Sequence, residues 1–200
     1  MTGGASGIGL ELVKILYARN AKVYIAARSE RKAFKAISSI ETSFPESKGV
    51  LIFHHLDLDD LALVKQSANS FLSKEARLDV LWNDAGVMVP PPGSKTRQNY
   101  EAQLGTNCLG PFLFTKILTA LLVETAKIAP RDSVRVVWLS SSAAETTAPT
   151  GGVVMTNLDY KKDESAWYKY GVSKAGNIFY SNEFAKKHRA DGVLSVVSIG

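Results

Sequence analysis

Short apolar runs alternate with longer amphipathic ones along the whole chain, and this alternation limits the fold more than any other feature. "AKVYIAA", "VLIFHHL", "LDVLW", "VRVVWLS" and "VLSVVSI" are rich in Val, Ile and Leu. Such runs predict strands buried on both faces of a sheet. Between them, apolar residues recur at helical spacing over residues 8–19, 29–42, 61–74, 97–129 and 167–189. Strands alternating with helices predict an α/β fold, a doubly wound parallel sheet with helices on both faces. The chain has 200 residues and is 46% hydrophobic, enough for one domain with a sizeable core, and we expect residues 1–200 to form a single unit.

Composition removes several function classes. The net charge is +5, but Lys and Arg are spread over several predicted helix faces, as on a solvated surface. No basic tract carries interleaved aromatics, which argues against nucleic-acid binding. Cys108 is the only cysteine, so a disulfide framework and a cysteine zinc cluster are excluded. A reducing, cytoplasmic compartment agrees with that usage. No apolar run approaches the roughly 18 residues of a membrane span. His54 and His55 have no partner at metal spacing and are expected to be structural residues at a strand end. Pro111 interrupts the fourth helical pattern close to Gly105 and Gly110, so a kink or local break is expected there. Residues 142–166 lack periodicity, and so long a connection tends to be functional.

Glycines at Gly3, Gly7 and Gly9 precede the first helical run, "IGLELVKILYARN". Such a turn lets a pyrophosphate approach the backbone, and the helix behind it presents unpaired amides. Gly3, Ser6, Gly7, Ile8 and Gly9 are therefore candidate cofactor contacts, with Thr2 as a further hydroxyl donor. About twenty residues further on, NAD-type sites place a carboxylate on the ribose. This chain has "AARSERK" there, with Arg28 where the acid would stand. A guanidinium fork suits a 2′-phosphate, which favours NADP over NAD; a plain exposed strand-end arginine is the alternative. Asp57, in "HLDLDD", is placed to accept from an adenine amine, while Asp59 or Asp60 suits a helix cap.

"YKYGVSKAGN" sets Tyr170 and Lys174 one helical turn apart on one face. An ammonium beside a phenol stabilises the phenolate, which would let Tyr170 exchange a proton with a carbonyl or an alcohol. The pair follows a strand that ends in Ser140, Ser141 and Ser142. These serines alternate faces, and the pattern does not choose among them.

Together these residues resemble the short-chain dehydrogenase/reductase family, on its retinol-dehydrogenase-like side. "TGGASGIG" is similar to the family's cofactor loop, "LDVLWNDAG" to its Asn-Asn-Ala-Gly strand end, and "NCLGPFLFT" to its long-helix motif. "VVWLSSSA" and "YGVSKAGN" resemble the serine strand and the Tyr-x-x-x-Lys helix. The resemblance implies a Rossmann-type fold and an NAD(P)-dependent oxidoreductase acting on a small-molecule alcohol or carbonyl. It further implies that Ser141 bonds the substrate oxygen, Tyr170 transfers the proton, and Lys174 supports the phenolate and holds the ribose. Asn107 would sit in an irregular stretch of its helix and hold a relay water, and Asn83 and Gly86 would border the cofactor. In the family the two long helices often form dimer or tetramer interfaces, so a homo-oligomer is an expectation too.

Two departures stand out. Asp84 replaces the usual second asparagine, and a carboxylate cannot donate as an amide does. The family's first strand, which lies mid-sheet, has no counterpart before Thr2, and its last strand has none after Gly200. The expectation is a truncated chain with an under-anchored glycine loop and weakened cofactor binding. A non-catalytic binding or interaction module is the alternative function. Another Rossmann-type enzyme, such as a methyltransferase, has no need of the tyrosine–lysine pair.

Overall fold

A computed structural model describes residues 1–200. They form two compact units, one of Met1–Asp57 with Asn83–Ala85, the other of Leu58–Trp82 with Gly86–Gly200.

The first unit runs α1 (Gly7–Ala18), β1 (Lys22–Ala27), α2 (Glu30–Ser43) and β2 (Val50–His55). β1 and β2 pair in parallel, from Lys22 opposite Val50 to Ala27 opposite His55. Val13, Ile25, Ala33 and Ile40 are fully buried between sheet and helices. The α2 start follows from Ser29, whose side chain accepts from the Lys32 amide at 3.3 Å. The two residues before the glycine turn act as a short strand. Thr2 bridges Ala26 in parallel, the Ala26 amide donates to Met1 O at 2.9 Å, and the Gly3 amide donates to Ala26 O at 3.0 Å. On its other side Thr2 Oγ1 accepts from the amides of Asp84 and Ala85, both at 3.0 Å. Thr2 is wholly buried. The turn is thus anchored on both flanks, where the sequence predicted loose ends.

Apart from Asn83 at the end of β3, the second unit holds α3 (Leu61–Leu72), β3 (Val80–Asn83), α4 (Ala102–Leu104), a π-helical segment (Gly105–Leu109), α5 (Gly110–Ile128), β4 (Val134–Ser140), α6 (Ala143–Thr146), α7 (Ala166–His188) and β5 (Val193–Ile199). Its sheet order is β3-β4-β5, so the five strands make two sheets in place of the single sheet expected. β4 pairs with β5 in parallel from Val134 opposite Val193 to Ser140 opposite Ile199. Trp138, Leu118, Leu122, Val134, Val136 and Val193 form the core. Burial on both faces holds for β4 but not for β5, an edge strand in this sheet, which leaves Val196 and Ile199 exposed.

The helical segment Ala102–Ile128 is long and apolar enough, by length and composition alone, to cross a membrane, but half of its apolar stretch is buried inside the fold, as in a core helix. Its apolar content has a local cause. Phe114, Leu118 and Leu122 are buried in a helix that packs on α3 and β4. The irregularity predicted near Pro111 is present as the π segment, where the Gly110 amide donates to Gly105 O, one residue beyond the α-helical acceptor.

Candidate active site

The sequence candidates fall in both units. In the first, each glycine of the turn has its own reason. Gly3 and Gly7 have φ of +72° and +56°, which side chains resist, and the space in front of Gly7 is open. A Cβ on Gly9 would lie 2.8 Å from Gly3 O and 2.6 Å from Asp84 Oδ2. Ser6 precedes α1 without capping it, and no acidic residue stands in the first helical turn. The Gly7, Ile8 and Gly9 amides therefore open α1 with no acceptor from the helix itself. Ile8 projects from the turn, 55% exposed. Arg28 is exposed just past β1, and in the second unit the Asp60 carboxylate, not Asp57, caps α3 through the Ala62 amide at 2.9 Å. Asp57 is half-buried after β2, and Asn83 is buried at the end of β3. His54 is buried on β2 with its ring edge-on to Tyr24, and His55 is exposed.

In the second unit, Asn107, Ser141, Tyr170 and Lys174 gather where α7 meets the π segment and the end of β4. Tyr170 and Lys174 share one face of α7, with Lys174 Nζ 5.6 Å from the phenol ring centroid. Lys174 is only 4% exposed. Its ammonium donates to Leu139 O at 3.0 Å, which offsets part of the cost of burying a charge. Trp167 meets the Tyr170 ring edge-on at 6.0 Å between centroids. No protein group bonds the Tyr170 hydroxyl, which leaves it free for a ligand.

The three serines separate by environment. Ser140 is buried and donates to the Lys174 backbone carbonyl at 2.8 Å. Ser142 stands exposed at the start of α6 without capping it. Ser141 is half-buried, and its oxygen accepts from the Ala143 amide at 3.3 Å, so its own proton can be donated elsewhere.

Asn107 lies in the π segment with its amide fully engaged. Its Oδ1 accepts from the Val87 amide at 2.8 Å, and its Nδ2 donates to Val87 O and to Ser173 Oγ, both at 2.9 Å. Any relay by Asn107 therefore falls to its main-chain carbonyl. Pro111, four residues on, has no N–H to give that carbonyl. A Cβ on Gly86 would come within 2.9 Å of Asn107 Oδ1 and 3.8 Å of Lys174 Nζ, so a side chain there would crowd both. Cys108 is buried beside them, its thiol donating to Ser173 O at 3.0 Å and pushed up to about 12 by burial. It is no nucleophile.

The model of the short chain dehydrogenase family matches residues 1–200. The chain belongs to the short-chain dehydrogenase family. It is 54% identical over 198 residues to a short-chain dehydrogenase/reductase of Phomopsis amygdali, covering 98% of this chain and 59% of that protein. It is 51% identical over 199 residues to one from Emericella nidulans, covering 100% of this chain and 63% of the relative. The chain thus spans about three fifths of the length of these curated relatives. Among solved structures, a protein of Mycobacterium Paratuberculosis matches with a TM-score of 0.80 at 28% identity, over 99% of this chain and 65% of that one. The Pseudomonas aeruginosa RhlG/NADP active-site complex matches with a TM-score of 0.73 at 25% identity, over 98% of this chain and 67% of that one. The family's cofactors are NAD(P), and its fold is the Rossmann-like α/β fold read from the sequence.

Two buried residues near these candidates gave no signal in the sequence. Gln103 is almost fully buried, accepts from the Val89 amide and donates to Ala166 O, both at 2.9 Å. It ties the segment after Gly86 to the start of α7. Asn177 donates to Leu139 O at 3.0 Å, the carbonyl that also holds Lys174. Both read as ordinary helix residues, because a buried amide has no periodic signature.

Proposed function

We propose that this chain carries the cofactor and proton-transfer machinery of an NADP-dependent oxidoreductase acting on a small-molecule alcohol or carbonyl, with Tyr170 as general acid and base. One observation carries the reading: a phenol with a free hydroxyl lies beside a buried ammonium, on a helix fastened to the serine-bearing strand end.

The residues present fit the cofactor. Gly7, Ile8 and Gly9 offer amides to a pyrophosphate at the positive end of α1, and nothing fills the space a Cβ on Gly7 would take. Arg28, exposed and free of an acidic partner, suits a 2′-phosphate. In the second unit Lys174 and Gly86, and in the first Asp57 and Asn83, are the further residues that the sequence and its family resemblance assign to the cofactor, Lys174 to its nicotinamide ribose. When bound, the nicotinamide supplies or takes the hydride.

The chain's own residues do the rest. Ser141 Oγ–H donates to the substrate oxygen, which orients the carbonyl and favours negative charge on it. Tyr170 gives its proton to that oxygen in reduction and takes it back in oxidation. Lys174 favours the phenolate by its charge. The Asn107 carbonyl, freed by Pro111, would support reprotonation through Lys174.

The test is nicotinamide absorbance with NADPH or NADH and a panel of aldehydes and ketones, in the intact protein and its Tyr170→Phe and Arg28→Glu variants. We expect Tyr170→Phe to lose about 10²–10⁴-fold in kcat, the usual size of a general acid's contribution. We expect Arg28→Glu to weaken NADPH more than NADH. Cofactor binding without turnover of any substrate would support the binding-module reading instead.

A further inference from the structure

The end of β4 is fastened to α7 by three hydrogen bonds. Ser140 Oγ donates to Lys174 O at 2.8 Å, Lys174 Nζ donates to Leu139 O at 3.0 Å, and Asn177 Nδ2 donates to the same Leu139 O at 3.0 Å. Asn177 is 4% exposed, and its Oδ1 is buried without any partner. An orphaned carbonyl oxygen of this kind costs folding free energy, so the amide is a poor choice for stability alone. Its orientation is fixed, since Leu139 O can accept only from the nitrogen end.

We propose that Asn177 is a positioning residue for Tyr170 and Lys174, acting through the Leu139 carbonyl. The proposal rests on the redox reading above. A carbonyl has two lone pairs, and Asn177 occupies one of them. That donation has two consequences. It holds the strand end that carries Ser141 against the helix that carries Tyr170. It also draws electron density from the acceptor of Lys174, so the ammonium is held less tightly by Leu139 and its field acts more fully on the phenol. Removing the amide lets Lys174 settle on Leu139 O and leaves the phenolate less stabilised.

Few other titratable groups bear on this pair from the elements packed against α7. The π segment contributes Cys108, neutral at working pH. Glu101, just before α4, accepts from the Leu104 amide at 2.8 Å. Glu145 of α6 is exposed, Arg135 stands at the opposite end of β4, and β5 carries no ionisable residue. On α7 itself Lys169 pairs with Asp163 at 2.6 Å, and Tyr168 lies one residue before it.

The experiment uses the intact protein with Asn177→Leu and the isosteric Asn177→Asp. Tyr170 ionisation is read as the tyrosinate absorbance that a Tyr170→Phe background removes, and separately as the pH limb of NADPH-dependent turnover. We expect both readings to rise by about half a pH unit in Asn177→Leu, a threefold loss of phenolate at a given pH. Asn177→Asp, which pulls the ammonium toward its own carboxylate, should shift them further. The urea midpoint of Asn177→Leu should stay at or above that of the parent, since the orphaned oxygen is gone. Folded variants with an unmoved tyrosinate titration would overturn the proposal and leave Asn177 as packing. A parent that binds NADPH yet turns over no carbonyl would refute the redox reading alone, because the absorbance titration still decides the role of Asn177.

Discussion

Gly171 follows Tyr170 on α7 and faces the α6 segment, and replacing it by Ala probes how tightly that contact fixes the phenol. A Cβ there would sit 2.7 Å from both Ala143 O and Ala148 N, and closer still to Thr147 Oγ1. Ordinary contact begins near 3.4 Å, so the methyl is about 0.7 Å too close to two main-chain atoms. The threonine side chain can rotate, but the main chain cannot, so α7 must move off α6. Overpacking of this kind costs about 1–3 kcal/mol, and rigid neighbours put it toward the upper end. On helix propensity alone the same change stabilises by about 1 kcal/mol, so the two arguments predict opposite signs. A 1 Å misplacement of a reacting group costs about 100-fold in rate, so a shift of this size should cost roughly tenfold or more in kcat. Urea melts of the Gly171→Ala variant read the first quantity and steady-state turnover the second. Gly176→Ala meets only Cys108 Sγ, at 2.9 Å, and should be milder in both. A Gly171→Ala variant as stable as the parent or more so, with unchanged kcat, would refute the packing argument.

Other outcomes follow from the same geometry. Leu122 is fully buried against the second unit's core, so Leu122→Ala should lower the unfolding free energy by about 2–5 kcal/mol in a urea melt. Cys108 keeps its proton in the fold, its thiol raised from 9.0 to about 12 by burial. Iodoacetamide at pH 8 should label it only as fast as the protein unfolds. Unfolding releases that proton above pH 9, so the thiol's contribution to stability is full below that pH and is lost as pH rises beyond it. Asp60 is held below its usual 3.8 by hydrogen bonds from the Gln98 side chain and the Ala62 amide. Its contribution is present above that pH and is lost as pH falls through the lowered value, so acid melts should flatten in Asp60→Asn.

Much of this was legible in the letters. "VRVVWLS" and "VLSVVSI" are strands over their whole length, because short runs rich in Val and Ile favour the extended, pleated backbone. Tyr170 and Lys174 share a face because helical spacing alone decides it. The serine run shows where such reading ends. Letters could not separate Ser140, which spends its hydroxyl on Lys174 O, from Ser141, which keeps its proton, because the difference lies in what α7 presents to the strand end. The role of Thr2 was hidden for a similar reason. Two residues are too few to show a strand period, and their pairing with Ala26, Asp84 and Ala85 is wholly non-local. Asn177 and Gln103 were missed because their partners are main-chain atoms far away in sequence.

The wide turn at Gly105–Leu109 has an evolutionary and engineering corollary. Such a turn is equivalent to one residue spliced into a regular helix, with the surplus bulging outward. Excising a single residue there should therefore heal the helix, leaving Leu118 and Leu122 pointing at the same core as before. What the shortened chain would lose is the sideways reach of Asn107 toward Val87 and Ser173. Foldability and chemistry would come apart at one codon.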